Sequence, residues 1–261
     1  MAWADLGRVY DAFPAAMRKA NPLFANVKAV PTGAFIVGAH AASSYVEIQG
    51  KAVDMPQGLT QFGAAQLGRA RTANLIGTFP SNTLAAVEMT GLGDVVSKAY
   101  AALPPAIRRA TDGIGLTMPG DLAAIVGSDT AIGVLGDVNN PTVFGRVRTA
   151  NPKRAAAAIN RLSRTLGEDA PWCRCDRALT VRPDRSGYTL TTDPTVTATG
   201  RLGSTPAFTR AVPDAKTAGM VLFVNLRQLP TQLMGSVPGL DAIGMSVDGA
   251  TGSFRLRLTT S

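Results

Sequence analysis

One histidine is present among 261 residues, and that scarcity excludes much chemistry at once. Zinc is held by three or four nitrogen and sulfur ligands, which one His and two Cys cannot supply, so a histidine-based metal site is not expected. His40 sits in Gly38-Ala39-His40-Ala41-Ala42, at the end of an apolar run. No neighbouring carboxylate is placed to orient it as a base, so it reads as a turn or strand-end residue. Aromatics are only 6%, so the basic residues are not interleaved with stacking rings as single-stranded nucleic acid requires. No apolar run approaches the roughly 18 residues that span a bilayer. The start, Met1-Ala2-Trp3-Ala4-Asp5, has neither the charged nor the long apolar region of a secretory leader.

The two cysteines, Cys173 and Cys175, form C-x-C rather than the C-x-x-C of thioredoxin-type redox motifs. On an extended strand both thiols point to one face. Their Cα atoms would then lie about 6.6 Å apart, at the outer limit for a disulfide, and a turn would bring them closer. In an oxidising compartment they are expected to bond to each other; in a reducing one they are two ordinary thiols. Neither state implies catalysis.

What is present is a chain long enough for one to two domains with a sizeable core of its own. Hydrophobic residues make up 46% and charged residues 17%, which is neither a disordered tail nor a coiled coil. The net charge of +8 favours anionic partners. The basic residues come as scattered pairs, Arg69/Arg71, Arg108/Arg109, Lys153/Arg154 and Arg255/Arg257, which read as a plain solvated basic surface and not as a nucleic-acid interface.

Hydropathy patterning divides the chain into short elements. Met1–Leu6 could be a strand, and helical spacing follows from Leu6 through Met17, broken at Pro14. GAFIVGA (Gly33–Ala39) reads as a buried strand, joined by a hairpin to Tyr45–Val53, where Val46, Ile48 and Ala52 share one face. Gln61–Asn74 is a candidate helix, and Thr83–Thr90 a strand. Gly93-Asp94 opens another helix, with Asp94 as its cap and Pro104-Pro105 at its end. Pro119–Ile125 is one further turn; Ala131–Leu135 and Thr142–Arg148 form a hairpin. Asn151-Pro152 is the clearest helix start, with Ala155, Ile159, Leu162 and Leu166 inward and Gly167 at the end. Ala178–Arg182 and Tyr188–Thr192 pair as strands, and Thr205–Val212 is a short helix. Gly219–Leu226 reads as a fully buried strand, and Arg227–Met234 as a helix containing Pro230. Ala242–Asp248 and Ser253–Leu258 alternate, the latter with Phe254, Leu256 and Leu258 inward and Arg255 and Arg257 outward.

The two ends repeat one order: strand, helix with an internal proline, then hairpin. The middle has the same order with a longer helical insert. The expected fold is therefore α+β, built from duplicated β-α-β-β units over residues 1–54, 83–148 and 219–260. Their hairpins would form one antiparallel sheet with helices packed on one face and a polar outer face. The later copies open on Pro-containing lead-ins, Phe79-Pro80-Ser81-Asn82 and Val212-Pro213-Asp214-Ala215. The first copy lacks one, so this chain is expected to begin inside a longer parent.

Several short segments also carry a resemblance. They include Phe79 through Val87, Met118-Pro119-Gly120-Asp121-Leu122, Ile125 through Ile132 and Asn151-Pro152-Lys153-Arg154-Ala155. Leu202 through Phe208, Ala211 through Ala215 and Val221 through Asn225 complete the series. Together they resemble the actinobacterial branch of the family catalogued as domain of unknown function 3352, over roughly residues 79–261. That resemblance implies an extracytoplasmic envelope location behind a membrane anchor. It transfers no catalytic residue.

The leading functional expectation is a non-enzymatic envelope domain that binds a partner, such as an envelope protein or an anionic membrane surface, or supports assembly. No cofactor is implied: Gly113 and Gly115 lack the strand–turn–helix context of a nucleotide fingerprint. The alternative is a carrier or sensor of a lipid or other apolar ligand, suggested by small aliphatic side chains on a sheet-and-helix layer. A hydrolase built on Ser43/Ser44, Ser97-Lys98 or Ser128-Asp129 is the weakest reading, because neighbours in sequence do not establish a pairing in space.

Overall fold

Short runs of β-branched and other apolar residues in Thr83–Thr90 (β4) and Met220–Asn225 (β9) form two strands that pair side by side near the middle of one sheet. The computed structural model describes residues 2–5, 33–54, 74–105, 108, 115–138, 140–166, 179–196, 200–229 and 239–260. Among these, eleven strands form a single antiparallel sheet. The others are β1 (Ala2–Asp5), β2 (Ala34–Ala42), β3 (Tyr45–Val53), β5 (Asp129–Asp137), β6 (Asn140–Arg148), β7 (Thr180–Pro183), β8 (Gly187–Thr191), β10 (Leu240–Asp248) and β11 (Ser253–Thr260). Their order across the sheet is β1-β2-β3-β11-β10-β9-β4-β5-β6-β8-β7. Four α-helices are described: α1 (Leu92–Ala102), α2 (Gly120–Val126), α3 (Pro152–Leu166) and α4 (Pro206–Ala211). The fold is α+β and dominated by strands, as the patterning predicts.

Turn chemistry sets the strand pairing. The Asp248 carboxylate accepts from the Ala250 and Thr251 N–H groups and the Thr251 hydroxyl, closing β10 onto β11. Asp184 does the same between β7 and β8, taking the Ser186 and Gly187 N–H groups at 2.7 and 2.8 Å. Ser43 and Ser44 turn β2 into β3. Helix starts follow local signals too. Thr205 accepts from the Phe208 N–H ahead of Pro206. Asn151 O receives the first helical bond of α3, from Ala155. Helix α1 starts earlier than the sequence suggests: its cap is Gly91, at φ 76°, and Asp94 lies in its first turn, where a carboxylate favours the positive end of the helix.

The register assigns every strand residue to one of two faces, and it corrects two expectations. Helices lie on both faces, not on one. On the first face, α4 and the short 3-10 turns Ile76–Thr78 and Leu202–Ser204 cover β4, β5, β9 and β10, around Phe79, Phe208, Phe223, Val221 and Ala131. Edge-to-face ring pairs, Phe79 with Phe144 and Phe208 with Phe223, fill this core. Gly244 lets α4 close on the sheet, since a Cβ there would lie 2.2 Å from the Ala211 carbonyl oxygen. On the second face, α2 and α3 pack over β6 and β8 through Ala124, Ala155 and Ile159 against Val147 and Tyr188. The second correction concerns polarity: the second face is apolar, not polar, for the rest of its width.

Two strands are also less enclosed than expected. Gly33–Ala39 is half-buried to exposed, and β9 alternates between buried and half-buried instead of being buried throughout. Several expected elements fall outside the described residues: the Pro14-containing helix, the helix Gln61–Asn74 apart from Asn74, and the part of Arg227–Met234 beyond Leu229. Cys173 and Cys175 also fall outside them.

Candidate functional site: the apolar face of the sheet

Follow one cross-strand row from the centre. Val87 faces Leu222, which faces Met245, then Leu256, Ile48 and Ala39. In the other direction Val87 faces Ile132, then Gly145, Leu190 and Val181. The row crosses ten strands without a polar side chain. A second row runs Ala41, Val46, Leu258, Ile243, Val224, Ala85, Val134, Val143, again wholly apolar. A third contains Phe254, Val247, Met220 and Met89, and reaches its first polar group at Thr130. That hydroxyl donates to the Val126 carbonyl, and the Tyr188 hydroxyl further along donates to the Ile125 carbonyl. Burial raises the Tyr188 phenol above its usual pKa, so it stays a neutral donor.

Among the described residues, helices cover this face only at its β6–β8 end. Toward β2 the side chains are half-buried or open: Ile132 is 42% exposed and Val46 43%. From β2 to β5 there are six strand spacings of about 4.8 Å, roughly 29 Å of aliphatic surface. A patch of this kind on a folded protein marks a site for a partner or ligand.

Phe254 shapes the floor of the patch: its ring lies over Gly50, where a Cβ would come within 2.1 Å of the ring. Helix α1 stands beside α2, joined through the Gly93 N–H to the Gly127 carbonyl at 2.7 Å, and buries none of its residues.

Fixed charges lie on both sides, between α2 and α3 above the covered end and on the opposite face at β3 and β10. Three buried carboxylates are each held by two arginines. Asp121 in α2 takes Arg154 and Arg161 of α3 at 2.6 and 2.5 Å. Asp241 at the start of β10 takes Arg210 and Arg227 at 2.9 and 2.5 Å. Glu47 on β3 takes Arg257, through Nε at 2.7 Å, and Arg255 at 3.3 Å. Burial pushes the Glu47 carboxyl up, but the Gln49 amide and the two guanidinium groups outweigh it and hold the pKa low. Asp121 is likewise raised by burial and lowered further by the Thr117 N–H, Arg154 and Arg161. The pattern missed these clamps. Arg255 and Arg257 do point away from the apolar side chains, but onto a buried acid and not into open solvent. The signal available was the alternation itself, which sets Glu47 on the strand face opposite Val46 and Ile48.

The hydroxyls weighed as nucleophiles do not converge. Ser43 and Ser44 occupy the β2–β3 turn, at 43 and 44. Ser97 donates to the Gly93 carbonyl at 2.8 Å. Ser128 donates to Asp129 at 3.1 Å and lines, with Ser97, a groove of about 460 Å³ between α1, α2 and the start of α3. Neither lysine nor histidine is among the described residues lining it. His40 is exposed on β2, its ring 5.8 Å from that of Tyr45. Among the described residues no cluster of three His, Cys, Asp or Glu could hold a metal ion, and no helix is long and apolar enough to cross a membrane.

No family model, no curated protein and no solved structure matches the chain.

Proposed function

We propose that this chain is a non-enzymatic binding domain of the cell envelope that holds the acyl chain of a lipid against the apolar face of its sheet. The supporting observation is the uninterrupted aliphatic row from Ala39 to Val181 through Val87 and Leu222. A protein partner is ordinarily met with aromatic and arginine side chains and about one hydrogen bond per 100–200 Å². Among the described side chains this surface offers aliphatic and methionine groups and the ring of Phe254, which suits a hydrocarbon chain. The net charge of +8 complements anionic headgroups beside such a chain. The envelope location rests on the resemblance to the domain of unknown function 3352.

The duplicated-unit reading belongs with this proposal. Within the sheet, β2-β3, β4-β5-β6 and β9-β10-β11 each run as consecutive neighbours. The opening strands β4 and β9 lie side by side, as do the closing strands β3 and β11. Copies of one module joined in that way extend a single apolar face, which one module could not do alone.

The test is titration of a fluorescent polyene fatty acid into the wild type, Val46→Lys and Ile132→Lys. Both side chains are already over 40% exposed, so the variants should melt as the wild type does. Saturable binding by the wild type, weakened at least tenfold in both variants, supports the proposal. Absence of binding, or equal binding by all three, overturns it. So does a wild-type dimer dissociated by Val46→Lys, which would make a second copy of the chain the occupant.

A further inference from the structure

The apolar face, taken as the lipid site proposed above, is ridged. Side chains at i and i+2 stand on the same side of a strand, so the three apolar rows run as parallel ridges about 6.7 Å apart. Two grooves lie between them. One is walled by the first and second rows, with Met245 and Leu222 facing Ile243 and Val224 across it. The other is walled by the first and third rows, with Val247 and Met220 on its outer side. The first row is common to both. From β3 to β5 every ridge side chain except that of Thr130 is half-buried or exposed. Both grooves therefore run open for five strand spacings, about 24 Å.

These dimensions match hydrocarbon. An extended chain advances about 1.25 Å per carbon, from a bond of about 1.52 Å opened to about 111°, so eighteen carbons reach about 21 Å and fit within either groove. One chain fills one groove and leaves the far side of the shared row in water. A second chain in the other groove withdraws that apolar surface as well. We infer that the face takes both chains of a diacyl lipid side by side, one in each groove. The head leaves toward β2, because α2 and α3 close the β6–β8 end. Two chains esterified to neighbouring carbons of one glycerol begin only a few bonds apart, which suits the distance between the grooves. Their linkage makes entry of the second chain intramolecular, so the pair gains affinity with no new contact.

The experiment is native mass spectrometry of the whole chain, wild type and Ile132→Lys, titrated with oleic acid, monooleoyl lysophosphatidylglycerol and dioleoyl phosphatidylglycerol. Two oleic acids per chain are expected at saturation, and one dioleoyl phosphatidylglycerol that displaces both. The diacyl lipid should bind at least tenfold more tightly than the lysolipid with the same head. Ile132 stands on the shared row and is already exposed, so Ile132→Lys should keep its fold and lose both chains together. Saturation at one oleic acid or at three or more, or a diacyl lipid held no more tightly than the lysolipid, overturns the inference and leaves the lipid reading standing. Two oleic acids retained by Ile132→Lys also overturn it, by placing them outside the grooves. No oleic acid bound at any concentration removes the lipid reading itself and the inference with it.

Discussion

Phe254 packs against Gly50, so closely that a methyl group on Gly50 would fall 2.1 Å from ring carbon Cε1. The glycine leaves the space that the ring occupies in the third apolar row. Gly50→Ala must turn the ring outward. The expected cost is about 1–3 kcal/mol, as for other overpacked sites. Thermal melts would show it, and an unchanged melting temperature would mean that the ring moves freely.

Gly244 is a harder constraint because the atom above it is backbone. A Cβ there would meet the Ala211 carbonyl oxygen at 2.2 Å and lift α4 from the core. Gly244→Ala should destabilise by about 2–3 kcal/mol. Gly38→Ala, in the same sheet but with nothing within 4 Å, should change stability by less than about 0.5 kcal/mol. Denaturant unfolding of the pair checks the contrast.

The clamped acids predict an acid transition. Glu47 and Asp121 both have pKa values lowered in the fold, so the unfolded chain takes up their protons first as pH falls. Their contribution is fully present above the unfolded carboxylate values near 4 and is lost as pH drops through the lower folded values. Melting temperature should hold from pH 7 to about 5 and fall below about 4. Asp121→Asn should cost about 1–3 kcal/mol at pH 7 and flatten the acid limb. A variant with the wild-type acid limb would show that Asp121 is not one of the groups responsible.

The charge predicts salt-sensitive membrane contact. With a net +8, the chain should bind vesicles containing anionic lipid more strongly than neutral ones, and the difference should shrink as salt shortens the screening length from about 10 Å at 0.1 M. Co-sedimentation at 50 and 500 mM salt tests this. Equal binding to neutral and anionic vesicles would remove the electrostatic part.

Much of the sheet was legible in the chain, and the reason is local. The Val46/Ile48 and Phe254/Leu256/Leu258 alternations place these residues on one face, and the register places them there together. The strand boundaries at Thr83–Thr90 and Tyr45–Val53 follow from β-branched runs ended by turn formers. What alternation does not carry is the identity of the neighbouring strand. That β9 lies between β10 and β4, so that Leu222 continues the row of Met245 into Val87, is a long-range fact with no local signal. Without it, inward-facing Leu256 and Met245 look like ordinary core, and the sheet is expected to have one covered face and one polar face. The arginine clamps were hidden for the same reason, since Arg154 and Asp121 are separated by a turn, a hairpin and the start of a helix.

The most direct measurement is photo-crosslinking with a diazirine fatty acid, followed by mapping of adducts by mass spectrometry. Adducts should concentrate on β9, β10 and β4, at Leu222, Met245 and Val87, and should be competed away by unlabelled fatty acid. Adducts confined to the Glu47 and Arg257 side of the sheet, or insensitive to competitor, would contradict a hydrocarbon-binding face.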